Sequence, residues 1–215
     1  MNRVIYRAVE KRDFAAVARL IEESFMLRSY LPDARALTQW SRAYLQSCFA
    51  EQTYCRIAEW NGKILGVIMG RADQEYRWTR HIVPACSTVW HDIRMELRAK
   101  CSGYSMDSYR KLHRIYREML ANRSYTYDGV LTLFAVDKAY RGAGVGTLLL
   151  KGLEEYFREC GVRRIYLYTD STCNTGFYDH HSFVKVIERD MPVMRNGQQK
   201  MLKVFLYEKS YDERS

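Results

Sequence analysis

Long apolar runs, export signals and metal-binding patterns are all missing from this 215-residue sequence. No apolar run approaches the roughly 20 residues that a membrane-spanning helix needs. The first residues lack the unbroken apolar core of a signal peptide. The six cysteines form no CxxC pair and no zinc-like grouping with the five histidines. We therefore expect a cytoplasmic protein with reduced thiols, no bound metal and no membrane partner.

Blocks of like charge are missing too, although the net charge is +9. Such an excess favours an anionic partner, which could be nucleic acid, an acidic membrane or a polyphosphate ligand, but it also fits a merely solvated basic surface. Residues 108–117 mix basic and aromatic side chains. Their spacing puts the aromatic residues on one helix face, which is typical of a helical core and not of a stacking platform for bases. A nucleic-acid partner is therefore not expected.

The apolar patterning predicts a single mixed α/β domain with one insert. The apolar share of 47% and charged share of 27% are those of an ordinary globular protein. Asp13 is placed to cap the first helix, and Asn61-Gly62 supplies the positive-φ pair of a type I′ hairpin turn. The predicted strands are 4–9, 54–60, 63–69, 130–136, 163–169, 183–191 and 201–208, and the predicted helices are 13–25, 33–49, 144–160 and 174–181.

The segment 72–124 separates the third and fourth predicted strands. It has no repeat and no low complexity, so it is not a linker. Apolar residues three or four apart predict a helix that Ser105 caps and that runs to about Leu120. A shorter helix is predicted at 88–97.

A glycine-rich turn, RGAGVGT at 141–147, joins the run 130–136 to the next helix. Its glycines let the backbone approach a ligand closely, and the first amides of a helix can donate to phosphate oxygens. The lysine of a P-loop is missing. A dinucleotide fingerprint fits poorly because its third glycine comes one residue early and five residues separate strand and glycines. A turn that only allows close helix–sheet packing remains an alternative.

This turn and the segment after it resemble the GNAT superfamily of acyl-CoA-dependent N-acyltransferases. The family's phosphate loop reads [RQ]xxGx[GA] after a strand, and Arg141, Gly144 and Gly146 occupy those positions. Residues 174–183, NTGFYDHHSF, are similar to the family's N…FYxxxGF segment, with Ser182 where glycine is usual. The resemblance implies a central mixed sheet of about seven strands flanked by helices. Only 72–124 lacks a counterpart, as a helical insert between strands three and four.

The resemblance also implies the chemistry: acetyl-CoA as co-substrate, an amine as acceptor, and no metal. Tyr178 would protonate the departing thiolate, and Asn174 would hydrogen-bond the pantetheine arm. Backbone groups of Phe134 and Val136 would pair with that arm, and the loop amides would hold the pyrophosphate. The implied cofactor-binding residues are Phe134, Ala135, Val136, Arg141, Gly142, Ala143, Gly144, Val145, Gly146, Thr147, Asn174 and Tyr178.

The general base is the open point. Many family members carry a carboxylate or histidine on the strand at 130–136, and this strand has none before Phe134. Asp170, at a strand end, is the candidate catalytic base. The alternative is that it merely caps the next turn. Asp128 and His113 are further candidates, and a water relay would need no side chain. An acyl-cysteine at Cys173 would also need a nearby base.

Two functions therefore stay open at this stage. One is an N-acetyltransferase that transfers the acetyl group by direct attack in a ternary complex. The other is a catalytically silent CoA-binding domain that regulates a partner. We expect the insert 72–124 to cover the acceptor side of the site, with a homodimer contact as the alternative role.

Overall fold

The computed structural model describes residues 3–31, 33–76, 107–121 and 123–211. Its strands are β1 (Ile5–Arg7), β2 (Tyr54–Trp60), β3 (Lys63–Ala72), β4 (Gly129–Val136), β5 (Arg164–Asp170), β6 (Val184–Arg195) and β7 (Gln198–Ser210). Its helices are α1 (Phe14–Ser24), α2 (Ala34–Glu51), α3 (Asp107–Ala121), α4 (Val145–Glu159) and α5 (Thr175–His180). Within these residues the strands form one seven-stranded sheet in the order β1-β2-β3-β4-β5-β7-β6. All neighbours are antiparallel except β4 and β5. The predicted mixed α/β class is confirmed.

The sheet carries helices on both faces. On β5, Ile165 and Leu167 pack into the apolar cluster that contains α4, while Tyr166 and Tyr168 face the opposite cluster. α1 and α2 cover β2–β4 on that opposite face, and α3 covers β5–β7 beside them. The period-2 alternation of side chains along a strand produces this division. No helix in the described ranges is long and apolar enough to cross a membrane.

The hairpin and most helix boundaries follow the prediction. Asn61 (φ 49°) and Gly62 (φ 78°) are both left-handed, as a type I′ turn requires. The carboxylate of Asp33 caps α2 by accepting from the amide of Ala36 at 2.8 Å. Gly161, with φ 67°, ends α4.

Asp13 does not cap α1 as predicted. Its buried carboxylate accepts from the Glu10 amide at 2.8 Å and from both terminal nitrogens of Arg7 at 2.7 and 2.9 Å. Arg7 also binds Glu59 on β2. The carboxylate faces the guanidinium of Arg7 on β1, and a charge-assisted pair is stronger than a neutral cap. Asp13 therefore ties α1 to the sheet.

Within the predicted insert, α3 confirms the helix that the sequence predicts up to about Leu120. Leu112, Ile115 and Met119 face the sheet. The Tyr116 ring stacks on Tyr168 with centroids 3.9 Å apart, and the Tyr168 hydroxyl donates to the Tyr116 carbonyl at 2.7 Å. Tyr116 is thus part of the core. Ser105 and the predicted helix 88–97 lie outside the described residues.

Candidate functional site

A gap opens between the two parallel central strands. β4 and β5 are in register only at Gly129–Ile165 and Val130–Tyr166. Beyond that point β4 continues beside β3 to Val136 and β5 continues beside β7 to Asp170, so the two strands separate towards their carboxyl ends. Unpaired strand backbone inside a domain requires another partner. The gap can therefore accept an extended ligand as an added strand.

A β-bulge on β4 accompanies this separation. Met69 of β3 pairs with Leu133 and Gly70 with Leu131, so Thr132 is the extra residue. A bulge bends its strand and reverses which residues face each side. Leu131 accordingly packs on the α4 face, whereas Leu133 packs on the α1 face.

The bulge also sets which backbone groups face the gap. The Asp137 amide donates to the Leu65 carbonyl on β3 at 2.8 Å. Because amide direction alternates along a strand, the amides of Val136 and Phe134 point the other way, towards β5. Ala135 lies in register with Val67, with its backbone towards β3. Phe134 and Val136 therefore present backbone groups to the gap.

The glycine loop lies at the open end of the gap. Gly142 (φ 79°) and Gly144 (φ 81°) are left-handed, and Gly144 is the N-cap of α4. The first intrahelical bond is from the Leu148 amide to the Gly144 carbonyl at 3.1 Å, so the amides of 145–147 are available to an anion. A Cβ on Gly146 would lie 3.2 Å from Phe134 Cζ, so the helix start approaches β4 closely only because glycine is there.

The other loop residues complete this end of the gap. Arg141 Nε donates to the Val136 carbonyl at 3.2 Å, which fixes the loop on the strand end. Ala143 and Thr147 are exposed on the loop surface, and Val145 anchors it in the core. This set of amides, left-handed glycines and unpaired strand backbone fits an extended ligand that carries phosphates.

Tyr178, on α5, is buried beside the gap at 8% exposure. Its ring centroid lies 6.5 Å from that of Phe134 and 5.7 Å from those of Phe183 and Tyr207. Burial raises the pKa of the Tyr178 phenol above its ordinary value, and the nearby Cys173 and Asp170 raise it further. The phenol is therefore held in its protonated form, as a proton donor must be.

α5 brings Asn174 and Ser182 to the same end. Asn174 is the N-cap of α5 but makes no side-chain cap hydrogen bond, and it is exposed. Ser182 has φ 62°, which explains why glycine is usual at this position: the chain passes through a left-handed turn between α5 and β6.

Asp170 ends β5 at the open end of the gap. Its Oδ1 accepts from the amide and the hydroxyl of Thr172 at 2.7 and 2.5 Å, so the capping role is present. Burial, and then Asp170, raise the pKa of the neighbouring Cys173 thiol, which makes it a poorer nucleophile. Asp128 instead binds the amides of Arg163 and Arg164 at the closed end of the gap.

Several residues that sequence reasoning missed lie near this site. The Thr132 hydroxyl in the bulge is buried without a hydrogen-bond partner among the described residues. Tyr30, from the α1–α2 connection, lies near Asp170, and Arg195 lies near Tyr30. No local pattern marks these positions, because each depends on elements that are distant in sequence. Within the described residues no group of three metal-ligating side chains occurs.

Residues 109–183 match the Acetyltransferase (GNAT) family. The match begins inside α3. No curated protein sequence matches the chain.

Solved structures with this fold cover nearly the whole chain. An N-acetyltransferase from Staphylococcus aureus Mu50 is 14% identical, with a TM-score of 0.57 over 97% of this chain and 98% of that one. A GNAT-family acetyltransferase from Streptococcus pneumoniae is 20% identical, with a TM-score of 0.54 over 97% and 100%. The protein yncA from Salmonella typhimurium, solved with its cofactor acetyl-CoA, is 16% identical, with a TM-score of 0.53 over 100% and 97%. Residues 109–183 thus match the GNAT acetyltransferase family, and the chain shares its fold with these solved structures.

Proposed function

We propose that this protein is an acetyl-CoA-dependent N-acetyltransferase that transfers the acetyl group directly to an amine. The observation that carries the proposal is the gap between β4 and β5, which has amide-rich glycine turns at its mouth and a buried, protonated Tyr178 at its side. The solved structure of yncA with its cofactor acetyl-CoA supports the choice of donor.

The proposed donor-binding residues act through their backbone. Amides of Phe134 and Val136 hold the extended pantetheine arm, and the exposed amide side chain of Asn174 reaches it from α5. The amides of 142–147 bind the pyrophosphate at the helix start. Holding both substrates in one geometry can supply effective molarities of roughly 10⁵–10⁸ M.

The proposed chemistry is one displacement. The amine nitrogen attacks the thioester carbonyl carbon, the C–S bond breaks, and Tyr178 donates its proton to the departing sulfur. The amide of Val136 polarises the carbonyl. Asp170 attracts the ammonium form of the acceptor and takes up a proton through Oδ2, the oxygen that Thr172 does not use. The raised pKa of Cys173 favours this direct route over an acyl-cysteine.

A catalytically silent CoA-binding domain is the second candidate. It is favoured by the lack of a titratable side chain on β4, whose residues run GVLTLFAV. Both functions require the donor site, and they differ only in turnover.

Thermal melting with acetyl-CoA tests the donor site first. At about 100 times its dissociation constant a ligand adds about 2.7 kcal/mol to the free energy of unfolding. For a chain of this length, that raises the melting temperature by roughly 5–10 °C. Ala143→Glu places a carboxylate on the exposed loop surface and should abolish the shift without changing the melting temperature of the free protein. Ala139→Glu adds the same charge at an exposed position before the loop and is the control.

Release of free CoA thiol with a panel of amines then separates the two candidates. A melting shift together with thiol release supports the enzyme. A shift without release under any amine supports the silent domain, and no shift at millimolar acetyl-CoA would overturn both.

A further inference from the structure

A cavity of about 380 Å³ lies next to the proposed reaction centre. Three separate parts of the chain form it: Met26 and Tyr30 between α1 and α2, Ser171 and Thr172 after β5, and the β6–β7 hairpin. Ser171 and Thr172 directly follow Asp170, so one end of the cavity starts where the gap ends. A cavity of this size suits a small molecule.

The far end of the cavity carries two cationic side chains, Arg195 and Lys200, from the β6–β7 hairpin. Within the described ranges neither side chain makes an ion pair. Arg7, by contrast, binds two carboxylates. A guanidinium that lines a cavity without a carboxylate partner keeps donors available for a ligand.

Arg195 is nevertheless held in place. Its Nε donates to the Ser29 hydroxyl at 3.1 Å, and one Nη contacts Met26 Sδ at 3.3 Å. Its guanidinium carbon Cζ lies 5.6 Å from the centre of the Tyr30 ring. The amide of Asn196 donates to the Ser29 carbonyl at 2.8 Å, so the hairpin tip is fixed on the loop. Met26 itself is left-handed at φ 50°. These contacts leave the other Nη of Arg195 in a fixed position, which limits the entropy lost when a ligand binds.

The surroundings of the two ends have opposite charge. Asp170 is not part of the cavity wall but directly precedes the lining residues Ser171 and Thr172 at the reaction end, whereas Arg195 and Lys200 line the other end. Tyr30 lies between them: burial and then Asp170 raise the pKa of its phenol, and Arg195 lowers it. A ligand that carries a cationic amine at one end and an anion at the other matches this field.

Apolar side chains also line part of the cavity. Met26, Val193, Leu202 and Met201 contribute to it, and they can contact an apolar side chain. Two unpaired cations would repel a polycationic amine such as spermidine, because like charges at short range cost free energy.

We infer that the acceptor is a small amine whose other end carries a carboxylate, of amino-acid size, with the carboxylate bound by Arg195 and Lys200. The inference rests on the proposed acetyltransferase function and names its substrate class. A charge-assisted hydrogen bond from the remaining Nη of Arg195 to the carboxylate is stronger than a neutral one, and it would place the amine towards Asp170 and Tyr178.

The test compares matched acceptors with and without the carboxylate, and kcat/KM is expressed per unprotonated amine because the carboxylate also raises the pKa of the neighbouring α-amine. L-methionine and L-leucine are each paired with their carboxamides, and spermidine is included as the polycation. kcat/KM should be about 10- to 100-fold higher for the acids, because a hydrogen bond to a charged group contributes about 1.5–3 kcal/mol. Equal kcat/KM for acid and amide, or a preference for spermidine, would overturn the inference.

Variants then locate the carboxylate. Arg195→Ala should raise KM for the acids while it leaves KM for the amides and for acetyl-CoA unchanged, and Lys200→Ala, at an exposed position, should act in the same direction more weakly. Arg189→Ala is the control, because Arg189 is exposed on the same strand outside the cavity. An equal loss on acids and amides would assign Arg195 to loop structure and contradict the inference.

A binding experiment keeps this test separate from the proposed function. With CoA present, N-acetyl-L-methionine should raise the melting temperature of the wild type more than its carboxamide does, and Arg195→Ala should abolish the difference. The silent domain would show this difference without turnover. If both compounds have the same effect on the wild type, the inference fails whether or not the protein turns over.

Discussion

Tyr178→Phe removes one oxygen from the proposed proton donor and little else. The ring packs among Phe134, Phe183 and Tyr207, and phenylalanine keeps those contacts. At 8% exposure the side chain has almost no access to bulk water that could replace the hydroxyl. A positioned general acid contributes roughly 10²–10⁴-fold to a rate, so we expect kcat to fall by about 10- to 1,000-fold. The loss is at the lower end of this range if a water molecule protonates the thiolate in place of Tyr178.

The assay is CoA thiol release at saturating acetyl-CoA, together with the melting shift that acetyl-CoA causes. The shift should be unchanged, because the donor is held by loop and strand amides. The control is Tyr211→Phe, which removes another buried hydroxyl, one without a hydrogen-bond partner among the described residues. That change should leave kcat unchanged. Normal turnover in Tyr178→Phe would refute the acid role, and a lost melting shift would mean that Tyr178 holds the donor instead.

Two further predictions concern stability. Ser182→Gly should raise the free energy of unfolding slightly. Relief of the left-handed serine (φ 62°) stabilises the fold by roughly 1–2 kcal/mol, and the greater flexibility of the unfolded chain offsets about 0.4–1 kcal/mol of that. Ser182→Ala should bring no gain, and a gain with alanine would refute this reasoning. Burial raises the pKa values of Tyr116, Tyr168 and Tyr211 above their ordinary 10.0. The unfolded chain therefore loses these protons first, and the stability measured by urea unfolding should be full below pH 10 and fall above it, whereas a flat profile to pH 11 would contradict the burial.

The sequence by itself determined the parts of this protein that depend on neighbouring residues. Asn61-Gly62 sets the hairpin, the apolar run 130–136 sets a strand covered on both faces, and the loop 141–147 sets the start of α4. Each of these depends on backbone preferences and side-chain periodicity within a few residues. The resemblance to the GNAT family was visible for the same reason, because it rests on short motifs such as the spacing of Asn174 and Tyr178.

Only the tertiary structure decided what depends on distant elements. The bulge at Thr132 arises from the pairing of β4 with β3, and no feature of the run GVLTLFAV predicts it. Asp13 has the side chain of a helix cap, but Arg7 at the end of β1 gives its carboxylate a stronger partner. Arg195 meets Ser29 and Tyr30 only when the β6–β7 hairpin folds back onto the α1–α2 connection. A side chain's contacts across the fold depend on how the whole chain packs, and that packing is not encoded in any single window of sequence.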